Sequence, residues 1–151
     1  MFIPTAAQVS RFAASSGALV YITSPQSIPN SANTKLIWDT EVFDTDGYWA
    51  LGQPTRLTIP NAGIYLVGAD LSLSAGATDW DTLTVIIKVD DDFSIDYWGP
   101  SSKPTIDQVF SANVETVYQF TAGQIVEVQM FQSHTVPSTA DVSGNFWIAR
   151  Q

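Results

Sequence analysis

Residues 56–74, RLTIPNAGIYLVGADLSLS, carry the pattern that decides the fold. The segment starts with a short alternation that puts Leu57 and Ile59 on one side, as expected of a β-strand. The next four residues, PNAG at 60–63, predict a sharp reversal, because proline fixes φ and glycine accepts a positive φ. A long apolar strand is then expected to begin at Ile64.

The strand from 64 to 74 is apolar on both faces over its first half. One face carries Tyr65, Val67, Ala69, Leu71 and Leu73, and the other carries Ile64, Leu66 and Gly68 ahead of Asp70 and Ser72. A strand of an antiparallel sheet with one face in water needs only one apolar side. The second apolar side is therefore expected to be covered, either by another part of the chain or by another subunit.

Segments rich in β-branched and aromatic residues recur through the rest of the chain, separated by turn signals. Further strands are predicted over 18–23, 26–30, 35–39, 56–59, 82–89, 93–98, 115–120, 125–131 and 145–149. Apolar and polar residues alternate in 82–89 and 125–131, which indicates a sheet with one wet face, whereas 145–149 is apolar on both sides. The sequence thus predicts an all-β jelly-roll β-sandwich of about ten antiparallel strands in two unequal sheets.

The residues before the first strand are predicted to form a separate arm. We expect residues 1–17 to be this N-terminal arm and residues 18–151 to be the jelly-roll domain. Part of the arm has the composition of a short helix, but such a helix is too short to be stable alone, and an extended segment ordered by contacts is the favoured alternative. Phe2, Ile3 and Phe12 are expected to dock the arm on a neighbouring molecule.

The charge and composition exclude several partner classes. The net charge is −9 and the six basic residues are scattered, which argues against binding nucleic acid. Only 14% of the residues are charged, so the polar surface must consist mainly of Ser, Thr, Asn and Gln. Such a surface suits permanent subunit packing. No cysteine is present, so disulfides and thiolate metal sites are excluded. No segment approaches the roughly 18 apolar residues of a membrane span, and no secretory signal is predicted.

Three motifs occur in order along the chain. The first is Phe43-Asp44 with Gly47, followed by IPNAGIY at 59–65; the second is YQFTAGQIV at 118–126; the third is GNFWI at 144–148. Together they resemble the complement-1q-like and tumour-necrosis-factor-like jelly rolls, especially the bacterial and phage versions, over residues 18–150. The resemblance implies a compact homotrimer around a three-fold axis. Its inner sheet would contain the first strand, the strand after Gly63, the strand of Tyr118 and the last strand.

The resemblance also implies which residues lie between subunits. Leu66, Tyr118, Phe120 and Trp147 are expected at the trimer interface, and ordinary core packing is the alternative for each. Animal members of the family usually carry a collagen-like or membrane stalk, which this sequence lacks. The chain is therefore similar to a phage virion protein: a trimeric decoration (cement) protein on the outer surface of the capsid, bound to the major capsid protein or another virion protein. The alternative is a fibre or tail-tip knob that binds a host glycan or protein receptor.

No constellation of residues in the sequence points to catalysis. His134 is the only histidine, it lies in a Ser/Thr/Pro segment, and no Gly-x-Ser-x-Gly elbow accompanies it, so we expect no catalytic residues and no enzyme activity. No cofactor is expected either. Asp90, Asp91 and Asp92 could supply two or three oxygens to Ca²⁺, although solvated turns are the favoured interpretation.

Four aromatic residues in or beside the predicted loops are candidates for ligand contact. They are Trp49, Trp80, Tyr97 and Trp98. Tyrosine and tryptophan offer a flat apolar face with a polar edge, which suits contact with sugars. Loop packing or subunit contact is the alternative interpretation for all four residues.

Overall fold

A computed structural model describes residues 16–74, 80–99, 109–134 and 140–151. These ranges contain eleven β-strands and no helix, which confirms the all-β prediction. The strands are β1 (Gly17–Tyr21), β2 (Gln26–Ile28), β3 (Thr34–Lys35), β4 (Thr40–Asp44), β5 (Arg56–Thr58), β6 (Gly63–Ser74), β7 (Trp80–Val89), β8 (Phe93–Trp98), β9 (Val109–Phe120), β10 (Ile125–His134) and β11 (Ala140–Arg150). The predicted arm contacts Phe2, Ile3 and Phe12 lie outside the described residues.

The strands form two antiparallel sheets that pack face to face as a jelly roll. The six-stranded sheet has the order β4-β1-β11-β6-β9, with β2 paired to the first three residues of β11. The five-stranded sheet has the order β3-β10-β7-β8, with β5 also paired to β10. The predicted grouping of the first strand, the long strand after Gly63, the Tyr118 strand and the last strand in one sheet is confirmed.

The core lies between the two sheets and is rich in aromatic side chains. Tyr65 of β6 is fully buried and meets the rings of Tyr48 and Phe120 at centroid distances of 6.2 and 5.7 Å. Its hydroxyl donates to the Asn61 carbonyl at 2.7 Å, so its polar end is satisfied within the turn before β6. Burying a side chain of this size stabilises the fold by about 1.5–3 kcal/mol.

Gly63 serves a different purpose from the one that the turn pattern predicts. Its φ is not positive; the described glycines with positive φ are Gly47, Gly123 and Gly144. Instead, a Cβ at Gly63 would lie 2.8 Å from Nε of Arg150, whose Nη2 donates to the Ala62 carbonyl at 2.9 Å. The glycine thus leaves room for the Arg150 guanidinium, which crosses the start of β6.

The segment before β5 contains a strand that the sequence does not predict. β4 forms the edge of the six-stranded sheet beside β1. Its apolar residues Val42 and Phe43 are adjacent and do not alternate with polar ones, and none of its residues is buried, so it lacks the signal of a half-buried strand. It ends at Asp44, whose carboxylate accepts from the backbone N–H groups of Gly47 and Trp49, each at 2.8 Å. Gly47 has a φ of 76°, which explains why the Phe43-Asp44 motif needs a glycine at this spacing.

One side of the sandwich is closed by contacts between the edge strands β8 and β9. The Asp96 carboxylate accepts from the backbone N–H of Glu115 at 3.1 Å. Close by, the rings of Phe93 and Tyr118 pack at a centroid distance of 5.9 Å. These two contacts connect the five-stranded sheet to the six-stranded sheet outside the core.

Candidate interaction surface

The face of the six-stranded sheet that points away from the core, here called the outward face, carries apolar side chains. Leu19 and Trp147 lie on it, directly opposite each other on β1 and β11, and outside the core cluster. On β6 the alternation places Ile64 and Leu66 on the same face, and Val117 of β9 pairs with Leu66. We call these five residues, Leu19, Ile64, Leu66, Val117 and Trp147, the apolar belt.

The apolar belt is covered by its own chain at one end and open at the other. Trp147 is only 4% exposed and Leu19 only 2%. In contrast, Ile64 is 50% and Val117 60% exposed, and Leu66 between them is half-buried. An exposed valine next to an exposed isoleucine on a sheet face leaves apolar surface in water that a partner would cover. The second apolar face predicted for β6 is therefore present in the structure.

Trp147 is held against the sheet by close contact with backbone. A Cβ at Gly68 would lie 2.4 Å from Cζ2 of Trp147 and 2.8 Å from the Val114 carbonyl oxygen. The indole thus lies directly over the glycine, which is the reason that β6 has no side chain at this position. Because the tryptophan is seated in this way and is only 4% exposed, it belongs to the covered end of the apolar belt.

Two of the four predicted interface residues do not lie on the outward face. Phe120 is 1% exposed and belongs to the core. The centroid of its ring lies 4.7 Å from the ring centroid of Tyr118. Tyr118 packs against the same core from the same face of β9. The alternation along β9 explains this placement, because the even-numbered residues of this strand point inward and Val117 points outward. In the single chain Phe120 and Tyr118 thus pack against the core, while Leu66 and Trp147 lie on the outward face. The placement of these four residues between subunits stays a prediction.

Beyond the apolar belt the outward face becomes polar. Asn145, Asp70 and Asn113 stand opposite one another on β11, β6 and β9. The Asn113 amide donates to the Asp70 carboxylate through Nδ2 and Oδ1. The change from apolar to polar residues at Asp70 is visible in the sequence of β6. Asn113 could not be placed beside it, because the polar first half of β9 is not predicted to be a strand.

The predicted ligand aromatics are not brought together as a group. Tyr97 and Trp98 are neighbours on β8 and therefore point to opposite faces of the strand. Trp98 and Trp49 pack against the core, whereas Tyr97 is 64% exposed. The backbone of Trp80 opens β7 opposite His134. Of the three candidates whose side chains the structure describes, Tyr97 is the one whose ring is open to a ligand.

The acidic turn at 90–92 is used by the fold itself. Asp90 and Asp91 have φ values of 53° and 58°. The Asp90 carboxylate accepts from the Ile125 N–H at 2.9 Å and from the Gln124 amide at 3.0 Å. The Asp91 carboxylate accepts from the Gln129 amide at 2.7 Å. Within the described residues, no group of three or more His, Cys, Asp or Glu is arranged to hold a metal ion.

Lys35 of β3 joins this turn to a buried carboxylate. Its Nζ lies 2.9 Å from Glu127 Oε2 and 3.1 Å from Asp91 Oδ2. The hydrogen bond to Glu127 raises the pKa of Lys35, and the hydrogen bond from Lys35 lowers the pKa of Asp91. Glu127 and Gln129 were predicted to face water, but they are 2% and 6% exposed, because Lys35 and the Asp91 turn cover them.

A second polar cluster ties the start of β1 to the loop after β4. The Ser16 hydroxyl is hydrogen-bonded both to the Asp46 carboxylate and to the Tyr48 hydroxyl. Burial raises the pKa of Tyr48. No sequence pattern predicts this cluster, because Ser16 lies about thirty residues before Asp46 and Tyr48 and meets them only through the pairing of β1 with β4.

Comparisons with known proteins agree on the fold. No protein-family model and no curated protein sequence matches the chain. Similar solved structures include the Eiger TNF of S. frugiperda, with a TM-score of 0.62, 13% identity, and 91% of this chain and 92% of that chain covered. Another is the globular domain of the zebrafish complement 1qA protein, with a TM-score of 0.55, 11% identity, and 87% of this chain and 94% of that chain covered. At these identities the likeness shows that the chain has the jelly-roll fold of TNF-like and C1q-like globular domains.

No helix of the length and apolar character needed to span a bilayer occurs in the described part of the chain.

Proposed function

We propose that the chain is a non-enzymatic virion protein that assembles as a homotrimer and decorates the outer surface of a phage capsid. The observation that carries the trimer is the apolar belt on the outward face. Its open end, formed by Ile64, Leu66 and Val117, has the two-sided apolar character that a subunit interface would bury. The jelly-roll fold shared with TNF-like and C1q-like domains is consistent with such an assembly.

The capsid role is supported by the resemblance of the three sequence motifs to phage versions of the jelly roll. It is also supported by the low fraction of charged residues, which suits lasting contact with other virion proteins. A trimer repeats each contact with the lattice three times, so individually weak contacts would add up to stable decoration. The arm at residues 1–17, with Phe2, Ile3 and Phe12, is proposed to make one of these contacts with the major capsid protein.

The first experiment is a measurement of mass in solution. Sedimentation equilibrium at micromolar concentration should give about three times the 16.4 kDa of one chain. The second experiment is co-sedimentation with capsids of the encoding phage that lack this protein. Binding by the full chain, and its loss on deletion of residues 1–17, are expected. A monomer in solution that also fails to bind the undecorated capsids would contradict the proposal.

A fibre or tail-tip knob that binds a host glycan or protein is the alternative, and Tyr97 favours it. This ring is exposed on the edge strand β8, and Phe93 at the start of the same strand is 41% exposed. Exposed aromatic rings at an edge suit receptor contact. Binding to host cells that is lost in Tyr97→Ala, together with no binding to capsids, would favour the knob over the decoration protein.

A further inference from the structure

A cavity of about 610 Å³ opens on the outward face, at the polar end of the six-stranded sheet. It lies beyond the apolar belt, where β1, β11, β6 and β9 run side by side. Tyr21, Asp70, Ser72, Asn113 and Asn145 are among the residues that line it. The volume is within the range of sites that hold small molecules, roughly 300–1,000 Å³.

One of the residues that line this cavity is a glycine, at a position that only a residue without a side chain could occupy. Gly144 of β11 has a φ of 148°, and a Cβ there would lie 2.1 Å from the Asp70 carbonyl oxygen and 2.8 Å from the Leu71 Cα. No side chain fits at this position, so β11 and β6 lie close together beneath the cavity. The rim is formed by exposed Ser72 and Asn113 together with half-buried Tyr21 and Asp70.

The floor of the cavity holds an amide with unused hydrogen-bonding capacity. Asn145 is 1% exposed, and its Nδ2 has no hydrogen-bond partner among the described residues. Buried polar groups in folded proteins almost always have a partner, and an exception calls for a water molecule or a ligand. Asn145 stands directly opposite Asp70, whose Oδ1 already accepts from Asn113. The donor and the carboxylate are thus neighbours in the same cavity.

The chemistry of the lining selects the class of ligand. Asp70 is the one charged residue among the described residues that line the cavity, and it is negative, which disfavours phosphate, sulfate and carboxylated ligands. A hydroxyl group can donate to a carboxylate and accept from an amide at the same time. Tyr21 adds an aromatic side chain beside these polar groups, and such rings pack on the apolar faces of sugars.

We propose that this cavity is a binding site for a neutral sugar, with Asp70, Asn113 and Asn145 as its hydrogen-bonding groups. The site is separate from the exposed end of the apolar belt and from Tyr97. It lies on the same outward face as the belt, about 13 Å along β6 from Leu66, so the mass of each sample is measured together with sugar binding to separate the cavity from the trimer interface.

The test is a titration of the full chain with neutral and charged sugars. Glucose, galactose, mannose and N-acetylglucosamine, each up to about 10 mM, are added to ¹⁵N-labelled protein, and the side-chain amide signals of Asn113 and Asn145 are followed by NMR. At least one neutral sugar should shift these signals in a saturable way, and sialic acid should not. If no neutral sugar shifts them, or if sialic acid binds as well as the neutral sugars, the proposal is overturned.

Two variants locate the site. Asp70→Asn keeps the size of the side chain and removes the charge, and Asn113→Ala removes one amide at an exposed position of β9. Each should weaken the binding of the active sugar by about tenfold or more, as expected for the loss of a hydrogen bond to a charged or buried group. Gln119→Ala is the matched control, since Gln119 lies on the same strand and face about 20 Å away. Unchanged affinity in both cavity variants would overturn the site.

The mass of every sample is measured alongside the titration. If a cavity variant loses sugar binding but keeps the mass of the unmodified protein, the result tests the sugar site and not the trimer. If a variant of the apolar belt changes the mass but keeps sugar binding, the result tests the trimer and not the sugar site. The two proposals can therefore fail separately.

Discussion

Trp147 and Gly68 meet across β11 and β6 so closely that no side chain fits between them. A Cβ on Gly68 would lie 2.4 Å from Cζ2 of the indole, with the Val114 carbonyl at 2.8 Å on the other side. Gly68→Ala should therefore force Trp147 or the backbone to move, and lower the free energy of unfolding by about 1–3 kcal/mol. Urea denaturation followed by tryptophan fluorescence measures this loss.

A glycine in open surroundings provides the control for that substitution. A Cβ at Gly52 would meet no atom within 4 Å, and its φ is not positive. Gly52→Ala should change the free energy of unfolding by less than about 0.5 kcal/mol, or raise it slightly through the unfolded state. Equal losses in the two variants would show that the contact with Trp147 is not the cause.

Val117→Glu tests the apolar belt as a subunit interface. The side chain is 60% exposed in the single chain, so a charge there should leave the fold of one chain intact. In the proposed trimer the same charge would be buried without a partner, which is strongly unfavourable. The expected result is a fall from about three times the chain mass to one chain, measured by sedimentation, with an unchanged circular dichroism spectrum.

Leu51→Glu is the matched control for this charge. Leu51 is 72% exposed and lies in the loop between β4 and β5, away from the outward face. It should leave the mass unchanged. A trimer that persists in Val117→Glu would exclude the open end of the apolar belt from the interface.

The ion pair between Lys35 and Glu127 gives a third prediction, which concerns stability. Lys35→Met leaves the buried Glu127 carboxylate without its cation, and the free energy of unfolding should fall by about 1–3 kcal/mol, less than for a fully buried pair because Lys35 is partly exposed. The double variant Lys35→Met with Glu127→Leu should recover most of this loss. Chemical denaturation of the two single variants and the double variant forms the cycle that measures it.

Alkaline pH should destabilise the protein through Tyr48. Burial raises the pKa of this phenol, so the folded state keeps the proton at a pH where the unfolded state, with a pKa of about 10, loses it. The stability that results is complete below about pH 10 and decreases above it, by less than about 1.4 kcal/mol per pH unit. Lys35, whose pKa is also raised, acts in the same direction.

Tyr48→Phe separates the contribution of this phenol from that of Lys35. The variant loses the hydrogen bond to Ser16 at every pH, but its stability should decrease less steeply between pH 9 and pH 11.5 than that of the unmodified chain. Urea denaturation at a series of pH values measures both slopes. Parallel slopes would mean that Tyr48 does not retain its proton in the folded state.

The long strand β6 shows how much of the fold could be predicted from sequence. Its two faces could be predicted because every second side chain of a strand lies on the same face. The face that carries Tyr65, Val67 and Leu71 is buried. The faces of β9 could not be assigned from the sequence. Core and subunit interface remained alternatives for Tyr118 and Phe120, because a strand with large apolar residues does not show which side meets the core. That choice depends on the partner sheet, which sequence periodicity does not contain.

The polar part of the outward face was the least predictable feature. Asn113 and Asn145 lie more than thirty residues apart in sequence, and only the pairing of β9 and β11 with β6 brings them to Asp70. Asn113 lies in a half-strand without an apolar alternation strong enough to be recognised. Turn motifs were more informative: Asp44 and Gly47 were noted together, and the structure shows a carboxylate that caps the backbone of this turn.

The hydrogen bond from Glu115 to Asp96 has a consequence for how the protein behaves at high concentration. β9 is the last strand of its sheet, and the outward amides of such a strand are a template on which a foreign strand can extend the sheet. The Asp96 carboxylate accepts a hydrogen bond from one of these amides, the N–H of Glu115 near the middle of β9, and so lies along the edge of the strand. Sheet-to-sheet polymerisation is hindered there, so loss of this aspartate would show as fibre formation before any loss of fold.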